Sequence, residues 1–198
     1  MTADYARGSP GVLCVLYLEQ AADEAERAIQ DPQRWFFAIP QMYQALGSIL
    51  VAALAGSASF GAYTDKVQRE WMAYFDLPDY PDHPPPEGEF MQPISALMRR
   101  VQDGSEPEMQ GRPVVLSADQ KKDLVRLSFY RGQMEHVRPG SWSLATGELP
   151  RILAAAAEVI RQLLEQRRCC TDLEEEAEAR SIDAVRKIKA LATEIDEL

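Results

Sequence analysis

The stretch SADQKKDLVRLSFYRGQMEHVRPGSWSL, residues 117–144, decides the architecture. It opens on Ser117-Ala-Asp-Gln120, a capping box in which the Ser117 hydroxyl accepts from a first-turn amide while the Gln120 side chain reaches back. Apolar positions then recur at helical spacing, with Leu124, Leu127, Ser128 and Met134 expected on the inward side. Pro139-Gly140 stops the run, because proline lacks an amide donor and disfavours helix in the residue before it. A start signal, a helical period and a stop signal together define one amphipathic helix.

The same grammar repeats outward. Toward the N-terminus, a helix is expected over about Val12 to Ile29, with Val12, Leu13, Val15, Leu16, Ala22, Ala25 and Ile29 as its apolar side. Glu19, Asp23, Glu26 and Arg27 form the wet side, and Asp31-Pro32 ends it. A second helix, about Ile39 to Ala55, is apolar nearly all round, and a third covers roughly Tyr63 to Phe75. Residues 76–89 hold Pro78, Pro81, Pro84, Pro85 and Pro86 and read as an extended connector, with His83 as a solvated side chain. A short helix near Met91 to Val101 and a polar loop, Asp103 to Pro113, complete this half. Toward the C-terminus, Leu149-Pro150 opens a helix that runs to about Gln166, with proline where no donor is missed. A second capping box, Thr171 to Glu174, begins a last helix whose stripe is Ile182, Val185, Ile188, Leu191, Ile195 and Leu198. That stripe needs a cover, and a sister chain, the chain's own bundle or another protein would all serve.

No stretch alternates in the manner of a strand, so the expected class is all-α. The expected arrangement is an antiparallel helical bundle over residues 1–170 and a charged amphipathic C-terminal helix over 171–198. The 198 residues carry 31 acidic against 21 basic groups, a net charge of -10. That excludes a protein that binds polyanions through bulk positive charge. Met1 to Pro10 shows no basic segment followed by an apolar one, and Cys14, Cys169 and Cys170 suit a reducing compartment, so a cytoplasmic location is expected. The uncharged run from Trp35 to Thr64 is long enough to span a bilayer. Pro40, Gln41, Gln44, Gly47, Ser48 and Gly56 interrupt it, and a buried core helix fits better than a membrane segment.

Arg131-Gly-Gln-Met-Glu-His136 falls on the final turns of the helix that starts at Ser117. Before any resemblance is invoked, Arg131 and Glu135 form an i, i+4 ion pair and His136 favours a helix C-terminus. The chemistry of the two side chains allows more. Histidine is the base whose ordinary pKa lies nearest neutrality, and a guanidinium is a permanent planar fork of donors for a phosphoryl group. Five residues at 100° each place the pair about 140° apart on an ideal helix. Either the last turn unwinds or two chains share the site.

An Arg followed after four to six residues by His, near the end of a penultimate core helix, resembles the HEPN superfamily (higher eukaryotes and prokaryotes nucleotide-binding). Phe37 to Leu46 looks like the early core helix of such proteins, and Leu124 to Leu144 like the motif helix and the turn after it. The resemblance spans about Val12 to Gln166, with its specificity in Arg131 to Trp142. It implies a dimer whose two motifs meet in one cleft, often a metal-independent endoribonuclease, with Arg131 and His136 in the catalytic positions. RNA contacts would then come from Tyr130, Glu135, Arg138 and Trp142. Tyr130 and Trp142 serve equally as core or interface packing. No metal or other cofactor is expected. The expected partners are a second copy, an RNA substrate and a cognate antitoxin or antiviral defence protein. One departure is Gly132, where active members commonly carry a polar residue; it bears on catalysis more than on fold. The alternative is a catalytically silent module that binds a nucleotide or a protein.

Charge along the chain is uneven. Residues 117–168 carry 9 basic and 6 acidic groups, net +3, whereas residues 1–116 are net -8 and 169–198 net -5. The motif thus lies in the one net-basic segment, and a local field can act on a substrate that the whole molecule would repel.

Overall fold

The computed structural model describes residues 8–55, 61–87, 90–103, 112–135, 139, 141, 143–166 and 173–196. Its α-helices are α1 (Pro10–Arg27), α2 (Trp35–Ala55), α3 (Asp65–Phe75), α4 (Ile94–Asp103), α5 (Ala118–Glu135), α6 (Leu149–Leu164) and α7 (Glu175–Asp196). Short 3-10 turns occupy Pro32–Arg34 and Tyr80–Asp82. Among the described residues there is no strand, only an isolated bridge between Tyr63 and Met91, so the protein is all-α.

Local chemistry explains the boundaries. Ser9 accepts from the Val12 amide at 3.1 Å ahead of Pro10, and Asp31 accepts from Gln33 at 3.2 Å to shape the turn between α1 and α2. That turn feeds directly into α2, which begins at Trp35, earlier than the expected Ile39, and carries Pro40 inside the helix. Helices α3 and α4 both start later than expected. The Thr64 amide donates to the Phe90 carbonyl and the Gln92 amide to the Ala62 carbonyl, each at 2.9 Å, so these backbones are engaged in pairing rather than helix.

Helix α2 runs through the middle of the core and packs against α1, α4, α5 and α6. Its Ile39, Met42, Leu46, Ile49, Leu50 and Leu54 are buried with Ile152, Leu153, Val159, Ile160 and Leu163 of α6. By length and composition the Pro32–Ala55 segment could cross a membrane, and half of its most apolar window is buried inside the protein. Gly47 lets α4 approach: a Cβ there would stand 3.0 Å from Ile94 Cδ1.

Helix α1 is rotated from the expected setting. Val15, Ala22 and Ala25 are buried as expected, but Leu13, Leu16 and Ile29 are exposed, and Cys14, Leu18 and Ala21 complete the buried face. The small side chains of this face lie where α1 packs against α2 and α7. The C-terminal stripe finds its cover within the chain. Ala184, Val185 and Ile188 of α7 are buried against the common core, while Ile182 points outward. Arg180 pairs with Glu19 and Lys189 with Glu158, the latter at 2.8 Å, which fastens α7 to α1 and α6. Thr171 and Leu198 lie outside the described residues.

Candidate functional site at the end of α5

The capping box forms as its residues dictate. The Gln120 amide donates to Ser117 Oγ at 3.1 Å, and the Ser117 amide donates to Gln120 Oε1 at 2.9 Å. Helix α5 then buries Asp123 and Leu127 and rests Leu124, Tyr130 and Met134 against the core. Ser128, expected inward, faces solvent, and its hydroxyl donates to the Leu124 carbonyl at 3.2 Å. A helix hydroxyl can satisfy itself on the preceding turn and so needs no buried partner.

A polar ladder fixes α5 against the start of α6. Tyr130 Oη donates to Glu148 Oε1 at 2.5 Å, and Arg126 forms an ion pair with the same carboxylate. The bond to Glu148 holds the Tyr130 hydroxyl above its ordinary pKa, with burial adding to the effect. One turn earlier, Arg151 Nη1 lies 3.1 Å from Asp123 Oδ2. Burial pushes the Asp123 carboxyl up, and the Arg151 and Arg126 charges oppose it.

Arg131 turns the other way. Its guanidinium lies over the ring of Tyr43 on α2, 4.8 Å from the centroid, and pairs with Glu135 one turn along. Its Nε is buried without a hydrogen-bond partner among the described residues. A cation over an aromatic face is worth about 0.5–1 kcal/mol when exposed and more when desolvated, so Tyr43 sets the direction of this side chain. Tyr130 and Arg131 therefore diverge, one toward α6 and the other toward α2. A Cβ added at Gly132 would meet nothing within 4 Å, so the fold leaves room for a larger side chain there. His136, Arg138 and Trp142 lie outside the described residues, which leaves Tyr130, Arg131 and Glu135 as the placed members of the expected site.

A groove of about 500 Å³ opens beside this face. It is lined by Leu46, Ile94, Met98 and Leu124 and by the charged side chains of Arg99, Asp103 and Lys121. Lys121, Leu124 and Ser128 are α5 positions at steps of three and four, and Arg131 and Glu135 continue that row. The α5 side of this groove is readable from the capped helix; the α4 side depends on a contact that no local pattern signals. Among the described residues, no three His, Cys, Asp or Glu side chains are grouped to hold a metal ion.

No protein-family model, curated protein or solved structure matches this chain. The functional reading therefore rests on its own residues and on the resemblance of its motif.

Proposed function

We propose that the chain is a cytoplasmic, metal-independent endoribonuclease built on an antiparallel HEPN-like bundle, acting as a homodimer and serving as a toxin or antiviral defence effector. The observation that carries this reading is Arg131: a half-buried guanidinium, aimed by Tyr43, whose buried Nε has no hydrogen-bond partner among the described residues. It sits at the end of α5, five residues before the histidine that would act as base.

The chemistry follows from the two side chains. His136 removes the proton of a ribose 2'-hydroxyl, and the oxygen attacks the adjacent phosphorus. The bond from phosphorus to the 5'-oxygen breaks, a proton passes to that oxygen, and a 2',3'-cyclic phosphate and a 5'-hydroxyl remain. Arg131 stabilises charge on the non-bridging oxygens, for which it would exchange part of its pairing with Glu135. Purified protein should cleave RNA in the presence of a chelator and leave cyclic phosphate ends. Arg131→Ala should slow cleavage by about 100-fold or more and His136→Ala by a similar factor. Parent-like cleavage by both variants would overturn the reading.

The Arg131 to Glu135 ion pair favours a second reading, a catalytically silent module, because it already answers much of the guanidinium charge. Nucleotide or protein retained through purification, with no cleavage, would select it.

A further inference from the structure

Helix α5 is apolar on two sides. Its inner side packs on α2 and α6, yet Val125 and Phe129, one turn apart on the outer side, are 71% and 60% exposed. Apolar side chains at that spacing are neighbours on the helix surface and form a ridge that gains by being covered. Ser128 lies between them, and its hydroxyl already donates to the Leu124 carbonyl at 3.2 Å. Val125 and Ser128 also line the groove between α4 and α5, so the outer face runs on into the apolar lining of Ile94 and Met98. The two surfaces together offer more than one helix face toward the about 800 Å² per partner that a stable interface buries.

The charges beside this face have a direction. Lys121 stands near the start of α5 and makes no ion pair among the described residues, whereas Glu135 ends the helix and pairs with Arg131. About four turns separate the two, so they share one edge of the helix, and Ser128 is midway between them. A second α5 that crosses there antiparallel sets each Lys121 opposite the partner's Glu135. A parallel one sets Lys121 against Lys121. On the other edge, Lys122 pairs with Asp119 and Arg126 with Glu148, and Gln133 is uncharged. Across the groove, Arg99 and Asp103 of α4 are opposite in sign and favour neither direction.

We infer that α5 of one copy packs antiparallel on α5 of a second about a two-fold axis at Ser128, and that Lys121 of each copy shares the partner's Glu135 with Arg131. A face that meets its own copy must be reciprocal. This one is: apolar bulk lies at the centre, a cation toward one end and an anion at the other. Each Phe129 is flanked by the partner's Phe129 and the partner's Val125, which takes all of them out of water. Glu135 then answers two cations instead of one, so its hold on Arg131 loosens and the guanidinium is freer to take a phosphoryl oxygen. Lys121, Arg131 and Glu135 still sum to one positive charge at each end of the contact. The packing stands on the face itself, whereas the effect on Arg131 rests on the function proposed above.

Sedimentation equilibrium tests the packing, and RNA cleavage tests its effect on Arg131. The parent should be a dimer. Phe129→Glu and Val125→Glu alter exposed side chains, and far-UV circular dichroism checks their helix content. Each should associate at least about 100-fold more weakly, because a charge at the centre of the face is left unpaired. Lys121→Glu and Glu135→Lys should each self-associate at least about 10-fold more weakly, since like charges then face each other, and an equal mixture of the two should recover the dimer. A monomeric parent, a Phe129→Glu variant that dimerises like the parent, or a mixture that associates no better than either charge variant alone would overturn the packing. At a concentration where the parent is dimeric, Phe129→Glu should cleave RNA at least about 10-fold more slowly, although it keeps Arg131 and His136. Cleavage at the parent rate by that monomer would overturn the effect on Arg131 and leave the cleavage chemistry standing. A dimeric parent whose charge variants behave as stated, but which cleaves no RNA, would overturn the chemistry and leave the packing intact.

Discussion

Replacing Glu158 by glutamine tests a carboxylate that serves α6 and, through Lys189, reaches α7. The Glu158 carboxylate accepts from Arg161 Nε at 3.0 Å and Nη2 at 2.6 Å, from Gln162 at 3.0 Å and from Lys189 of α7 at 2.8 Å. The Arg161 bonds, followed by those from Lys189 and Gln162, outweigh burial and pull the carboxyl from 4.5 down to about 2. Each pKa unit corresponds to about 1.4 kcal/mol, so the shift sets an upper bound of about 3 kcal/mol. The Arg161 and Lys189 side chains remain 36% and 46% exposed, and solvent screening brings the expected contribution to about 1–2 kcal/mol. The sign follows from the depressed value. The stabilisation is complete above the unfolded pKa and is lost as pH falls from there through about 2. Glu158→Gln should therefore be less stable than the parent by about 1–2 kcal/mol near neutral pH, and the difference should vanish in strong acid. Urea unfolding of both proteins along a pH series measures this, and the difference between them isolates Glu158 from the other carboxylates. A difference that is independent of pH, or absent at neutral pH, would refute the assignment of this carboxylate as the stabilising acceptor for Arg161, Gln162 and Lys189.

Four further changes report on α5. Ser117→Ala removes the hydroxyl that accepts from Gln120 and should cost about 1 kcal/mol in urea unfolding. Tyr130→Phe loses a bond to a carboxylate and should cost about 1.5 kcal/mol or more, read the same way. Gly132→Ala should act in the opposite sense, raising stability by about 0.5–1 kcal/mol, because the new methyl group meets no neighbour. A polar side chain at the same position, Gly132→Asn, should fold as the parent does and raise the rate of RNA cleavage measured under the same conditions.

The parts legible in the sequence are those whose partners are close in sequence. Ser117 and Gln120 specify their reciprocal bonds within one turn, and Arg131 and Glu135 specify their ion pair within the next. The rotation of α1 was not legible, since Leu13 and Leu16 compete with Cys14 and Leu18 at helical spacing, and only the positions of the neighbouring helices decide between them. The pairing of Ala62 to Thr64 with Phe90 to Gln92 was equally hidden, because its two halves are far apart in sequence. The stripe on α7 was visible, but its cover depended on where α1 and α6 lie. At the site, the choice of Tyr43 to orient Arg131 follows from the register between α2 and α5, which no single segment encodes.

That register also changes the meaning of the net-basic segment. In residues 117–168, Lys122 pairs with Asp119, Arg126 with Glu148, Arg131 with Glu135, Arg151 with Asp123, and Arg161 with both Glu158 and Glu165. Two of these pairs, Arg126 with Glu148 and Arg151 with Asp123, join α5 to the beginning of α6, and the others span one turn of a single helix. The positive excess therefore does not reside on the ladder that builds the fold. By count it falls to Lys121, which lines the groove, and to Arg138, Arg167 and Arg168, which lie outside the described residues. Under the function proposed above, an RNA strand drawn to Lys121 would meet Arg131 further along the same row of α5, so local charge and net charge would act in opposite directions on the same molecule.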